Sequence, residues 1–260
     1  MNKEIVFTCL CLCLCIAGCT QQQDEPAAPT DISIACWNLQ TFGPTKASDA
    51  DLMTYYADAI DDHDVVILQE IRDKSGEAIE VLANNLPEYT YRLSERAGST
   101  SYKEQYAVFY TDEVTLEFTD DYTTSYQHLY ERPPWRLRFR ENNWSWTIYT
   151  IHTQPENAEQ EIDNLETLVQ DTTGDTIIIG DLNADGSYYD ESPRKHLTDW
   201  LWIIGNGVDT TVAANDYTYD RIIINEAAEN NYKNWGVMKE VTDDQSDHYL
   251  IYAIFDSTIS

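Results

Sequence analysis

Residues 176–183 read TIIIGDLN: four β-branched residues, a glycine, and then Asp181 and Asn183 flanking a leucine. A run this short and this β-branched is a buried strand, because a helix needs ten or more residues to bury a stripe. Its polar end is the informative part. Side chains at the end of a buried strand project into the crevice beyond the sheet while the strand holds them rigid. The same arrangement recurs at Trp37-Asn38 after ISIAC, at Gln69-Glu70 after DVVIL and at Ile151-His152 after WTIYT. It recurs in reverse at Ser246-Asp247-His248 before YLIYAIF, while Tyr102-Lys103-Glu104-Gln105 and Tyr219-Asp220-Arg221 open two further strands.

Outward from these segments the pattern stays β-rich. Strands are expected over 31–38, 64–70, 106–110, 114–118, 135–139, 146–152, 176–183, 219–225 and 248–255. Helical periodicity intervenes at 48–61, 75–86, 157–171 and 192–203, with Ser48, Ser75, Asn157 and Ser192 as caps. Strands outnumber helices about two to one, there is no internal repeat, and neighbouring pairs such as 106–118 and 135–152 look like hairpins. The economical architecture is one α/β domain over 31–256, two packed sheets flanked by helices, followed by a short tail, 257–260.

The 260 residues carry 46 Asp or Glu against 16 Lys or Arg, a net charge of −30, yet 42% are hydrophobic and 12% aromatic. That aromatic and apolar content excludes a disordered acidic tail. The charge counts against nucleic-acid binders that work through a basic patch. Near the N-terminus, IVFTCLCLCLCIAG (5–18) is too short to span a membrane and suits a signal-peptide core. It ends in Ile16-Ala17-Gly18-Cys19, which resembles a lipoprotein lipobox. The expectation is a signal peptide over 1–18 and a flexible tether over 19–30, lipidated at Cys19 and anchoring an exported protein to the outer side of a membrane. Only Cys36 remains beyond the anchor, so no disulfide is expected within the domain. Removing residues 1–18 takes away one Lys and one Glu, so the acidity belongs to the folded part.

Asn38, Glu70, Asp181, Asn183 and Asp247 form an all-oxygen donor set, suited to Mg²⁺, Mn²⁺ or Ca²⁺ rather than zinc. His152 and His248, with Glu104 and Asp220, offer two histidine–carboxylate pairs for acid/base work. Metal, base and acid together point to hydrolysis of a phosphate ester.

In this order, WN, QE, the strand-ending histidine, GDLN and SDH resemble the endonuclease/exonuclease/phosphatase superfamily. NLQTFG (38–43), QEIRD (69–73), SYKEQY (101–106), GDLNADGSY (180–188), DTT (209–211), YDRI (219–222) and SDHY (246–249) look most like its deoxyribonuclease I branch. The resemblance implies a four-layered α/β sandwich with the site at one edge of the two sheets. It implies that Glu70, with Asn38 and Asp247, holds Mg²⁺ or Mn²⁺ while Asp181 and Asn183 position metal, phosphate or water. His152 with Glu104 and His248 with Asp220 would be the acid/base pairs, with His248 favoured as base and His152 as acid. Arg72, Tyr102 and Arg132 stand where that branch contacts DNA, and Asp209 and Thr211 match part of a structural Ca²⁺ site. Departures are Gln40 in place of a groove-binding arginine, Gly186 and Tyr217 in place of a disulfide, and Pro133 in place of an acidic ligand of a second calcium.

The function expected is metal-dependent cleavage of double-stranded DNA to 5′-phosphate ends by a monomer outside the cell. The alternative is a same-fold phosphodiesterase or phosphatase acting on lipid head groups or small phosphate esters. The blander features complete the reading. His63, His128 and His196 are expected as ordinary surface or helix residues, and Cys36 as a buried inert thiol. Arg136, Arg138 and Arg140, on one strand face, are expected to balance nearby acids, and Asp61-Asp62, Asp120-Asp121 and Asp243-Asp244 to be solvated. The −30 charge suggests an enzyme of saline surroundings. The alternative is that the acids lie away from the site and Arg72, Arg132 and Arg221 focus a local positive field.

Overall fold

The computed structural model describes residues 31–259 apart from Glu191. The signal, the tether and Cys19 lie outside the described residues. Two six-stranded sheets face each other. The first runs β11 (Tyr232–Met238), β12 (Leu250–Asp256), β1 (Asp31–Phe42), β2 (Val65–Ile71), β4 (Gln105–Thr111), β3 (Tyr89–Leu93). The second runs β5 (Thr115–Asp121), β6 (Trp135–Glu141), β7 (Trp144–Thr150), β8 (Asp175–Asp181), β10 (Asp220–Ile224), β9 (Leu201–Trp202). Both are mixed: β1 and β2 are parallel, as are β7 and β8, and the remaining pairs are antiparallel.

Alternation along the strands sends one set of side chains between the sheets, where Ile34, Ile67, Val108, Leu137, Trp146, Ile179, Ile222 and Phe255 form the central core. The opposite set covers the outer faces. After the short helix α1 (Pro44–Ala47), helices α2 (Ala50–Asp61) and α3 (Glu77–Ala83) pack on Ala35, Trp37, Val66 and Leu68 of the first sheet. Beyond the short helix α4 (Thr123–Tyr126), helix α5 (Ala158–Val169) packs Ile162, Leu165 and Val169 on Tyr149 and Ile178 of the second. The result is the four-layered α/β sandwich.

The parallel pairs fix where chemistry can sit. β1 and β2 end at the same edge of the first sheet, and β7 and β8 at the same edge of the second. The strands antiparallel to them, β4, β10 and β12, begin at that edge. Asn38, Glu70, His152 and Asp181 therefore lie at strand ends, and Glu104, Asp220 and His248 at strand starts, on one rim of the sandwich. Gln69 ties the two sheets there: its Nε2 donates to Ile151 O (2.8 Å) and Thr150 Oγ1 (3.2 Å), and its Oε1 accepts from Asp181 N (3.0 Å). This bridge requires Gly180, whose φ is +154° and where a Cβ would meet Ile151 O at 2.1 Å and Gln69 Nε2 at 2.6 Å.

Three local expectations need correction. No helix forms over the described residues of 192–203; they make turns until Leu201 and Trp202 add a short strand to the open edge of β10. Edge pairing and the stacking of Trp202 on Tyr189 override the local helical periodicity. Caps shift by one residue, to Asp49, whose carboxylate accepts from Asp51 N and Leu52 N, and to Gly76 in a left-handed conformation. Strands β3, β9 and β11 were not expected; β3 and β11 are edge strands of half-buried and exposed residues, which weakens the apolar pattern.

His63 is not a surface residue. It is buried, its Nδ1 lies 2.7 Å from Ser33 Oγ, and its ring packs on Tyr252. Burial, only partly offset by the Asp62 charge, lowers its pKa to about 4. The folded-state value is below the unfolded value of about 6.5, so this stabilisation is present above pH 6.5 or so and lost as pH falls toward 4. Urea unfolding should show the wild type losing about 2–3 kcal/mol more than His63→Asn between pH 7 and 4. Parallel pH dependences for the two proteins would contradict the assignment. The arginines of β6 do balance acids, Arg138 and Arg140 pairing with Glu117 and Arg136 with Asp120, and Cys36 is buried.

Candidate active site

Two histidine–carboxylate pairs form at the rim. His152 Nδ1 lies 2.7 Å from Glu104 Oε1, and His248 Nδ1 lies 2.8 Å from Asp220 Oδ2. With Nδ1–H donated to a carboxylate, each ring directs Nε2 into the same gap. There both face one atom, Asp181 Oδ2, at 3.4 Å from His152 and 3.5 Å from His248. Asp220 and Asp181 are direct cross-strand partners on β10 and β8, a like-charge juxtaposition that His248 offsets.

Charge decides the protonation tendencies. Burial alone would lower the His248 pKa, but the Asp220 and Asp181 carboxylates raise it well above its ordinary value. His152 is also raised, although burial and the Arg132 charge oppose Glu104 and Asp181. Burial works to raise Glu104 and Asp181, yet both are held low: Glu104 by His152, Arg132 and Arg72, Asp181 by His248 and His152. Asp220 is raised, chiefly by burial and further by Asp181.

Glu70 occupies a left-handed conformation, φ +59°, and so do Gln40, Thr41 and Asn183. Such backbone is uncommon for residues with a Cβ and persists only where the surroundings enforce it. Here Thr41 N donates to Glu70 Oε2 (2.8 Å) and Arg72 Nη2 lies 3.1 Å from the same oxygen. Asn38 spans the gap, its Nδ2 donating to Asp181 Oδ2 (3.2 Å) and Glu70 Oε1 (3.4 Å) while its Oδ1 accepts from Gln40 N. As a metal ligand Asn38 would turn its amide over. Asp247 is 51% exposed in its side chain, with Oδ1 3.9 Å from His248 Nε2. Asn183 N donates to Asp181 Oδ1 and its Nδ2 to Thr153 O.

Each half has a buried support. On the His248 side, Trp37 Nε1 donates to His248 O, while Ser246 Oγ accepts from His248 N and donates to Asn38 O. The DTT segment belongs to this support. Thr210 Oγ1 accepts from Asp220 N, Tyr249 N donates to Thr210 O, and Thr211 is bridged to His248. Asp209 and Thr211, the pair expected at a structural Ca²⁺ site, flank Thr210 in this segment. Asp209 Oδ1 accepts from Thr211 N, its Oδ2 lies 3.3 Å from Lys239 Nζ, and it joins none of the convergent groups of His, Asp and Glu among the described residues.

On the His152 side, Tyr106 OH accepts from His152 N, and Arg132 donates from Nε to His152 O (2.8 Å) and from Nη2 to Thr153 O. Arg132 thereby braces the segment that carries His152. Tyr102, 75% exposed on the loop before β4, is free to meet a ligand, and Arg72 is half-buried beside Glu70 and Glu104. Arg221 does not face solvent: it is buried, donates to Ile204 O and Ala184 O beneath Trp202, and burial lowers its pKa to about 9.

Glu161 is a supporting residue that sequence reasoning missed. It sits on the buried stripe of α5 beside Ile162 and Leu165, and a lone acid on an apolar stripe was the available signal. Oε1 accepts from Glu131 N (2.7 Å) and Oε2 from Gln154 N (3.0 Å), fixing the two loops that carry Arg132 and Thr153. Glu161→Ala leaves two part-buried N–H groups without an acceptor and should cost about 2–4 kcal/mol in urea unfolding. A variant as stable as wild type would contradict this role.

The carboxylates that converge here, Glu70 near Glu104 and Asp181 near Asp220, suit a hard divalent cation. Residues 35–248 match the Endonuclease/Exonuclease/phosphatase family. Deoxyribonuclease-1 of Homo sapiens is 32% identical over 216 residues, spanning 74% of this chain and 77% of that protein. The Bos taurus protein is 30% identical with the same coverage. In fold, a humanized TDP2 of D. rerio superposes with a TM-score of 0.67 at 16% identity, covering 88% of this chain and 100% of that one. A mannosyl-6-phosphatase of Bacteroides thetaiotaomicron gives 0.63 at 15% identity, covering 85% and 98%. Fold, strand-end residues and sequence agree: this chain belongs to the endonuclease/exonuclease/phosphatase family, in its deoxyribonuclease I-like branch.

Proposed function

We propose that this chain is a divalent-metal-dependent endonuclease that hydrolyses the phosphodiester bonds of double-stranded DNA to 5′-phosphate ends. We further propose that it acts outside the cell, held to a membrane through lipid on Cys19. One observation carries the catalytic reading: two imidazole Nε2 atoms, each backed by its own carboxylate, converge on Asp181 Oδ2. Hydrolysis of a diester needs a proton removed from the attacking water and another delivered to the departing 3′ oxygen, so two aimed proton carriers match the reaction.

Asp220 fixes His248 through Nδ1 and leaves Nε2 beside Asp181 and Asp247, where it would take a proton from water once a bound cation offsets those carboxylates. His152 sits against Arg132, whose charge favours release, and suits protonation of the leaving oxygen. Glu70, Asn38 and Asp247 would hold Mg²⁺ or Mn²⁺, which supplies charge stabilisation to the phosphoryl oxygens when bound. Asp181 and Asn183 orient the water and phosphate, while Arg72 and Tyr102 offer the substrate a cation and an aromatic face. The likeness to deoxyribonuclease-1 proteins supports DNA as the substrate.

The test is a substrate panel in Mg²⁺: supercoiled plasmid, sphingomyelin vesicles and inositol phosphates, each over a NaCl series from about 0.1 to 1 M. Nicked plasmid with the other two intact is the expected result. Hydrolysis of either small ester with intact plasmid would replace DNA by that substrate. With −30 charges and few outward cations, nicking should persist toward 1 M salt; steep loss above about 0.1 M would show ordinary counterion-release binding.

A further inference from the structure

Three groups of His, Asp and Glu converge closely enough to share an ion among the described residues. Two belong to the rim. The third, Asp163, Glu166 and His196, lies elsewhere, on α5 and the loop before β9. We propose that Asp163, Glu166 and His196 form a second metal site, of the zinc class, that fastens the loop before β9 to α5.

Geometry is the first support. His196 Nδ1 lies 3.4 Å from Glu166 Oε2 and 3.6 Å from Asp163 Oδ1. Both separations exceed the usual 2.7–3.2 Å of an N–H···O hydrogen bond. They match instead the spacing of neighbouring ligands on a tetrahedral ion, about 3.3–3.4 Å for bonds of about 2.0–2.1 Å.

Preorganisation is the second. In each carboxylate the other oxygen is already held: Glu166 Oε1 accepts from Leu197 N (2.9 Å) and Asp163 Oδ2 from Gln160 Nε2 (3.1 Å). One oxygen of each is thus left facing the imidazole. Such outer contacts are how metal ligands are oriented. The ring is mostly enclosed, 13% exposed in its side chain.

Access and purpose follow from the surroundings. His196 and Asp163 line an open cleft of about 390 Å³ with Tyr188, Asn157 and Gln160, leaving room for water as a fourth ligand. One nitrogen with two carboxylate oxygens favours zinc over Mg²⁺ or Ca²⁺, which take oxygen alone. The described residues of 182–200 contain neither helix nor strand, and Cys36, the one cysteine described, is a free thiol. A metal clip would add to the hydrogen bond from Leu197 N to Glu166 and the Lys195–Glu159 ion pair, which already tie this segment to α5.

The experiment uses EDTA-stripped protein of residues 19–260, with Cys19→Ser so that the cysteine-rich signal offers no thiol ligand, bearing Glu70→Gln and Asp181→Asn to weaken the rim centre, and titrated calorimetrically with ZnCl₂. One equivalent should bind, with a rise in melting temperature, and Co²⁺ in its place should give the intense visible absorption of a tetrahedral ion. Adding His196→Gln should weaken Zn²⁺ binding at least about tenfold and abolish the Co²⁺ band. Adding Glu166→Gln, which keeps an acceptor for Leu197 N, should do the same without disturbing the loop. Unchanged isotherms in both added variants, or no binding in the starting protein, would overturn the site.

Discussion

Asp181→Asn should lower plasmid nicking by about three orders of magnitude or more, a loss of about 4 kcal/mol in transition-state stabilisation, while the protein stays folded. The size follows from position. Asp181 is the carboxylate on which both Nε2 atoms, the Asn38 amide and the Asn183 N–H converge. Asparagine is nearly isosteric and can still accept from Asn183 N, so packing survives. What disappears is the charge that raises both histidines and any share in holding the cation. Its replacement also puts an amide between two imidazoles, which disturbs the direction in which each presents its proton. Steady-state nicking and urea unfolding of the same preparation measure the two effects separately. Activity within tenfold of wild type would remove Asp181 from the centre of the site.

His152→Ala and His248→Ala should each reduce nicking by about 10³-fold, and the double variant should be scarcely worse than either. Two groups that serve one proton inventory do not contribute independently: once the water cannot be activated, an intact donor to the leaving oxygen has little left to do. The shared target at Asp181 makes the histidines one unit in space as well. Glu104→Gln should act through His152, shifting the pH dependence more than substrate affinity, because its carboxylate fixes the Nδ1–H tautomer and sustains the raised pKa. Losses that multiply cleanly in the double variant would place the histidines in separate steps.

The rim was legible in the sequence because its residues are tied to strand ends. TIIIGDLN, DVVILQE and WTIYTIH announce themselves by an abrupt change from apolar to polar, and antiparallel pairing carries Glu104, Asp220 and His248 to the same edge. What was not legible depends on distant partners. Glu161 acts through backbone N–H groups 30 and 7 residues away, and Gln69 through the opposite sheet. His63 is buried by Ser33 and Tyr252, neither of them its neighbour in sequence. The stretch 192–203 has helical spacing, but its apolar residues meet a sheet edge and Tyr189 rather than a helix-shaped groove. Arg132 and Arg221 show the same limit: a sequence gives their charge, whereas only the fold shows which backbone carbonyls they hold.

The central claim is that one rim, built from Glu70, Asp181 and the two histidine pairs, cleaves DNA with a divalent cation. It is tested most directly by incubating supercoiled plasmid with the purified protein in Mg²⁺, with and without EDTA, and analysing the ends formed. Open-circular DNA with 5′-phosphate ends, lost in EDTA and lost in Asp181→Asn, is the predicted result. Nicking that continues undiminished in EDTA, or that Asp181→Asn performs as well as wild type, would contradict it.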